Sequence, residues 1–542
     1  MRTGPTSGTT AGRKMIRKSN DFDARSIKFK IQEDRMLKIT NKICLSILTL
    51  IYVLLVILLG LIIVLSITGP QNNLFPWQMA IGTILGTILL LGAFFLWGRI
   101  PHEKVKQSSL LYAALLILFG ISLYAVSFAN RNAIGYNDYA QIWNAALEIS
   151  EGKPVSDEFY FKTYANNIKP MLYLSILFRT AKFLRFSDPF YFVLLLSVLE
   201  VLGAVWSVGI LIGNTAEEHA RYRIPVLFMF VFSLPIWANV QAFYTDSMSF
   251  VMSIISLALF KLCLEAASRF KSGLLLTLAG IFTGLGMSIK ITVLIPIIAG
   301  FIIFGISRPS LKRWCLMGTF LLCSGAAYGL TSLYAEGFPL WEAAKETSEP
   351  VINWIALGMK GEGSWSSNPD YILYVTTLPT KQEKTQYTLR YIWENRSDFW
   401  NLSHLFQKLR FNFASGHLGT KDFTYWALKE HNLVWELFSP WGKHYWRTSQ
   451  LCFCFIFSIY TVYLLGAATT LRRLIKKREI HGVKAVADLS LLGIILFLMV
   501  WEANNRQLYN QLPVIILGAV LNIRLLVSGK IPSFFSILKI NP

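Results

Sequence analysis

The chain is short of charge. Only 15% of its 542 residues are Asp, Glu, Lys or Arg, and 54% are hydrophobic. Soluble domains carry roughly 25% charged residues, so a water-soluble globule is excluded. The repeated apolar stretches of about twenty residues read as transmembrane spans. Acid is scarcer still, with 31 Asp and Glu against 52 Lys and Arg, a net charge of +21. On a soluble protein such an excess points to nucleic acid. Here the basic residues cluster in tails and short loops, and the positive-inside rule accounts for them without a nucleic-acid partner. Cysteine is also sparse. Cys44, Cys263, Cys315, Cys323, Cys452 and Cys454 all lie in or at the ends of apolar runs. That placement argues against a disulfide framework, and no metal-type Cys/His spacing appears. Walker A, GxGxxG and HExxH motifs are missing, which removes support from ATP-driven transport and zinc proteolysis. No cleavable leader is expected, because the first apolar run is too long for a signal h-region.

What is present is an all-α polytopic pattern with about twelve spans. They fall near 43–69, 77–98, 108–128, 189–213, 223–240, 246–266, 273–288, 290–306, 314–334, 450–471, 486–504 and 511–528. The tail 1–42 carries eleven Lys and Arg and is expected inside. The loops 98–107, 268–273, 307–314 and 472–484 are short and basic, and parity puts all four on the same side. The segment 169–186 is apolar but holds Arg179, Lys182 and Arg185. Counting it as a span would invert the later basic loops, so it reads as an interfacial helix with Pro170 in its first turn. Both termini, 1–42 and 529–542, are then cytoplasmic. Two regions face outside: a first loop, 129–188, and a region 335–449 rich in Trp, Tyr, Gly and charge. The latter reads as a small folded α-rich domain, since aromatics are depleted in disorder. Outer aromatics suit sugar stacking and suit a membrane-interface belt equally well.

Ionisable residues at a membrane edge are costly and are candidates for function. Four groups fall at the outer ends of spans. "YNDYAQIW" holds Asp138, with Gln141 three residues on, which is also a capping-box pattern. "YTDSMSF" holds Tyr244 and Asp246, the latter placed to cap a helix. "SIKIT" holds Lys290, with no acid nearby in sequence. Its plainer role is snorkelling, and its other role is to bind a lipid phosphate. "WEANNRQLYNQLP" holds Glu502, Asn504, Asn505 and Arg506. Arg506 suits bidentate phosphate binding, or a Glu502–Arg506 pair at i, i+4 spacing. Two acids, one Lys and one Arg on one face are a set able to bind an anionic lipid-linked substrate and supply a base.

The order of these motifs, with "NNIKPMLYL", "GLGMSIKITVLIP", "EPVINWIALGMKGEGSW" and "FLMVWEANNRQLYNQLP", resembles the GT-C superfamily of integral-membrane glycosyltransferases. Within it the likeness is to bacterial members near the protein mannosyltransferase and arabinose-transferase group, including the group associated with exosortase systems of Gram-positive bacteria. The resemblance covers roughly 108 to 528. Residues 43–107 then form two extra N-terminal helices, 108–334 a transmembrane core, 335–449 the outer domain and 450–528 the last spans.

The resemblance implies transfer of a sugar from a polyprenyl-phosphate donor to a glycan, lipid or protein acceptor on the outer face of the cell membrane. It makes Asp138 the catalytic base or the group that positions the acceptor. It puts Lys290 and Arg506 near the lipid phosphate and Tyr244 and Asp246 in a second outer motif. Asn137 and Glu502 complete the expected substrate-binding set. It matches 169–186 to a proline-bearing surface helix. No cofactor is fixed, and a divalent cation stays open. Two departures bear on specificity: Asn353 stands where a His is expected, and Gln507 where an aromatic is common. Rival classes are a transporter or flippase of lipid-linked sugars and an O-antigen-type polymerase. Transporters place polar sites near the midplane on broken or repeated helices, and no internal repeat is visible.

Overall fold

The computed structural model describes residues 43–68, 75–101, 108–131, 137–213, 215–307, 311–427, 429–477 and 480–529. The tails 1–42 and 530–542 lie outside them. The protein is an all-α integral membrane protein, and no strand occurs among the described residues. Among the described residues, nine helices are long and apolar enough to cross a membrane, from Ile43–Thr68 to Gly482–Val500. Ile291–Gly305 and Leu512–Ser528 are shorter apolar helices. The expected span 223–240 is instead broken into Ala216–Val231 and Pro235–Asn239. Pro225 lies inside the first piece and removes a backbone donor, and Pro235 opens the second piece at its first turn, where a missing N–H breaks no helical bond. The broken pair still traverses the bundle. Arg221 donates to the Gly98 carbonyl at one end (2.7 Å), and Asn239 donates to the Leu418 carbonyl at the other (3.1 Å).

The two ends of the bundle differ chemically. At one, basic side chains close on helix C-terminal carbonyls, which carry partial negative charge. Arg524 donates to Ile212 O (2.7 Å), Lys261 to Ile210 O (2.6 Å) and Arg473 to Gly529 O (3.0 Å). The other end gathers the stretches around residues 130, 138, 188, 246, 290 and 506. Arg131 pairs there with Asp188, at the start of the helix Pro189–Ile212.

Ile168–Phe183 has 16 residues, about 24 Å at 1.5 Å per residue. That is short of a bilayer core of roughly 30 Å. It lies along Asp138–Ser150. Arg179 donates to Ile149 O (2.9 Å), and Trp143 meets Phe178 edge-on at 4.6 Å. Asp138–Ser150 is amphipathic and buries Tyr139, Ile142, Trp143, Ala146 and Ile149 at helical spacing. This buried stripe fixes the direction in which its first residue points.

The region 335–449 is α-rich. Tyr371, Val375, Ala356 and Leu357 form a small core of their own. A buried Lys384–Glu349 pair (3.0 Å) and the bond from Glu349 N to Thr163 O (2.9 Å) tie this region to the first loop. All six cysteines are free.

Candidate functional site

Four segments far apart in sequence meet at the end of the bundle away from the basic loops. Asn137 is the N-cap of Asp138–Ser150, its side-chain oxygen accepting from Tyr139 N at 3.1 Å. The capping-box expectation for Asp138 and Gln141 is therefore corrected by one residue. Asp138 is the first helical residue, and its carboxylate is turned away from its own helix. Oδ1 accepts from the Tyr160 hydroxyl (2.9 Å). Oδ2 accepts from the Tyr244 hydroxyl (2.9 Å) and from Arg506 Nη2 (3.3 Å).

Asp246 sits in the short helix Thr245–Met248. Its Oδ1 is paired with Lys290, and its Oδ2 faces Arg506 Nε at 3.6 Å. Lys290 interrupts two helices in extended conformation, between Arg269–Ile289 and Ile291–Val293. Its partner is thus an acid invisible in its local sequence. Arg506 bridges the two acids and lies 4.6 Å over the Tyr244 ring. The expected Glu502–Arg506 pair does not form. Gly482–Val500 ends before it, and Trp501–Asn504 is not helical, so i, i+4 geometry does not apply.

A polar layer below the cluster holds these junctions in place. Asn510 donates to Ser249 Oγ (3.2 Å) and Thr292 Oγ1 (2.9 Å), and Gln511 donates to Thr292 O (3.0 Å). On another side Gly419, at φ +82°, has no room for a Cβ against Arg506. Only glycine tolerates both that close approach and that backbone conformation.

Exposure sorts the members. Asp246 is 7% exposed, Lys290 14% and Arg506 21%, while Asp138 is 35% exposed. Asp138 is the acid that meets solvent, and Asp246 is the buried counter-charge. Glu502 lies beside these groups, on an extended stretch. Burial pushes its carboxyl up to about 7, with the nearby Asp138 charge adding to the rise and Arg506 and Lys290 pulling against it. The Trp365 backbone amide bonds to it.

Sequence reasoning passed over several neighbours. Tyr160 is held by Asn167 Nδ2 (2.6 Å) as it donates to Asp138. Tyr164 stacks on Trp354 at 6.3 Å and lies beside the Trp365 side chain, which is half exposed. Lys169 Nζ donates to Ser332 Oγ (2.8 Å) and sits 3.9 Å from the Tyr328 ring centroid. No carboxylate among the described residues pairs with it. Asn353 is not at the site, since its oxygen accepts from Tyr371 inside the small core of 335–449. Gln507 is buried. No group of three or more His, Cys, Asp and Glu is placed to hold a metal ion among the described residues.

Fold and cluster together define a polytopic helical membrane protein with a balanced acid–base site at one end. Residues 42–526 match a family described as conserved hypothetical integral membrane proteins, and the chain belongs to that family. No curated protein and no solved structure matches the chain.

Proposed function

We propose that the protein is a membrane glycosyltransferase of GT-C type, moving a sugar from a polyprenyl-phosphate donor to an acceptor at the outer face of the cell membrane. The observation that carries this reading is the convergence of Asp138, Asp246, Lys290 and Arg506 from four distant segments into one solvent-reached cluster. The basic end of the bundle faces the cytoplasm under the positive-inside rule, which leaves the cluster outside. Half-exposed Trp365 and the Tyr164–Trp354 stack beside it offer flat faces for a sugar ring.

Charge counting refines the roles. Asp138 and Asp246 match Arg506 and Lys290, so the four carry no net charge. A phosphate leaving with new negative charge is stabilised by such fixed cations. Asp138 and Glu502 are the partly exposed carboxylates of the cluster.

The transporter reading draws on one other feature, a polar group at membrane depth formed by Tyr52, Lys484, Asp488 and Asn522. Each of the four is at most 1% exposed. A sealed group offers a solute no path, so the enzyme reading is preferred.

The test is transfer from a panel of polyprenyl-phosphate sugars in membranes carrying the protein. Wild type transfers at least one of them, and Asp138→Asn loses about 10²-fold or more at equal expression. No transfer by wild type defeats the reading, and full activity in Asp138→Asn removes Asp138 from catalysis.

A further inference from the structure

Resting on the transferase reading above, we propose that Glu502 rather than Asp138 takes the proton from the acceptor hydroxyl. The grounds are an inventory of donors. Both oxygens of Asp138 are engaged, Oδ1 by Tyr160 and Oδ2 by Tyr244 and Arg506. Three donors from three segments hold that carboxylate in one orientation, which suits a group that organises a site. Of the roughly four acceptor positions of a carboxylate, three are thus taken. Glu502 differs. No described side chain donates to it, and its backbone contact is with the Trp365 amide. It stands on the extended stretch after Gly482–Val500 and is partly exposed.

The charged and titratable groups around it come from every neighbouring element. Arg506 shares its loop, Lys290 lies at the helix junction and Asp138 at the head of its helix. Tyr164 comes from the first loop and Lys408 from the helix Leu402–Phe413. Arg506 and Lys290 are already paired with other acids. A carboxyl poised near neutrality is what general-base work at neutral pH requires.

In the step, the acceptor oxygen forms a bond to the anomeric carbon. The bond from that carbon to the donor phosphate oxygen breaks, and its electron pair stays on the phosphate. The hydroxyl proton moves to the Glu502 carboxylate and then to water. The lipid phosphate leaves with one more negative charge, facing Arg506 and Lys290. Asp138 is then a positioning residue for Arg506 and the two tyrosines.

The experiment is a pH–rate profile of kcat/KM for transfer, from pH 5.5 to 8.5, in wild type, Glu502→Gln and Glu502→Asp. Wild type rises with pH to a plateau, with a midpoint near 7. Glu502→Gln loses about 10²- to 10⁴-fold and the rising limb with it, while KM for the donor and the melting temperature hold. Glu502→Asp keeps a limb at a displaced midpoint. An active wild type whose rate and limb both survive Glu502→Gln overturns the assignment alone. A wild type inactive across the whole range overturns the transferase reading as well.

Discussion

Asn137 and Asp138 are neighbours with different duties. Asn137 accepts from Tyr139 N and closes the helix, which frees Asp138 to reach Tyr160, Tyr244 and Arg506. Replacing a capping Asn by Ala costs about 1 kcal/mol, and Ser caps nearly as well. Asn137→Ala is therefore expected to lower the melting temperature in detergent, and Asn137→Ser to restore it. If Asn137 instead bound substrate through its amide, Asn137→Ser would raise KM at unchanged stability. Asp138, Tyr244, Asp246, Lys290 and Arg506 were all legible in the sequence, because polar residues at the ends of apolar runs are few. Their pairing was not. Lys290 finds Asp246 across 44 residues and Arg506 finds Asp138 across 368. Tyr160 was missed because a tyrosine in a polar loop is unremarkable until packing sets an acid beside it.

At the scale of elements, the site depends on loops held by one buried lysine. Lys408 is fully buried and donates to Gly358 O (2.8 Å) and Trp501 O (2.7 Å). It thereby clasps the 358–365 loop to the stretch that carries Glu502. Ala503 N reaches Gly363 O (2.7 Å), and Gly363, at φ +78°, leaves no space for a Cβ beside the lysine stem. Burial lowers the Lys408 ammonium to about 7. An unfolded lysine titrates near about 10.4, so between these values the open loop binds more protons than the closed one. Closure therefore strengthens as pH rises from about 7 towards 10 and weakens as it falls back to 7. Hydrogen exchange at 358–365 should show that slope in wild type and lose it in Lys408→Met. The variant also strands two carbonyls, at about 1–3 kcal/mol each, so its exchange is faster throughout. The spans were legible as elements, because apolar length sets them. The break at 232–234 was not read, although Pro225 and Pro235 stand in the sequence: the apolar run continues through both.

For the whole molecule, the first two helices read in sequence as an addition to a core, yet they are built into it. Pro76–Gly98 lies on Tyr445–Lys477 with Gly82 against Cys454 and Gly86 against Ser458, and neither glycine has room for a Cβ. Small residues allow such close helix approach in membranes. Ile43–Thr68 is joined through Tyr52, whose hydroxyl donates to Asp488 Oδ2 at 2.8 Å. Asp488 is also paired with Lys484 and accepts from Asn522 Nδ2 at 3.2 Å. One carboxylate thus gathers the first helix and the last two. Asp488 comes from the same helix, Gly482–Val500, that leads into Glu502. Breaking a buried pair costs about 3–5 kcal/mol, because the remaining charge is stranded, whereas replacing both partners by apolar residues is often neutral. Asp488→Leu is therefore expected to destabilise the protein strongly in a detergent melting assay. Lys484→Met combined with Asp488→Leu should recover most of that loss. The double variant still lacks the acceptor for Tyr52, and a Tyr52→Phe change added to it should cost nothing further. A double variant as unstable as the single one would mean that the network does more than neutralise Lys484, and that the ion pair itself seats the first helix.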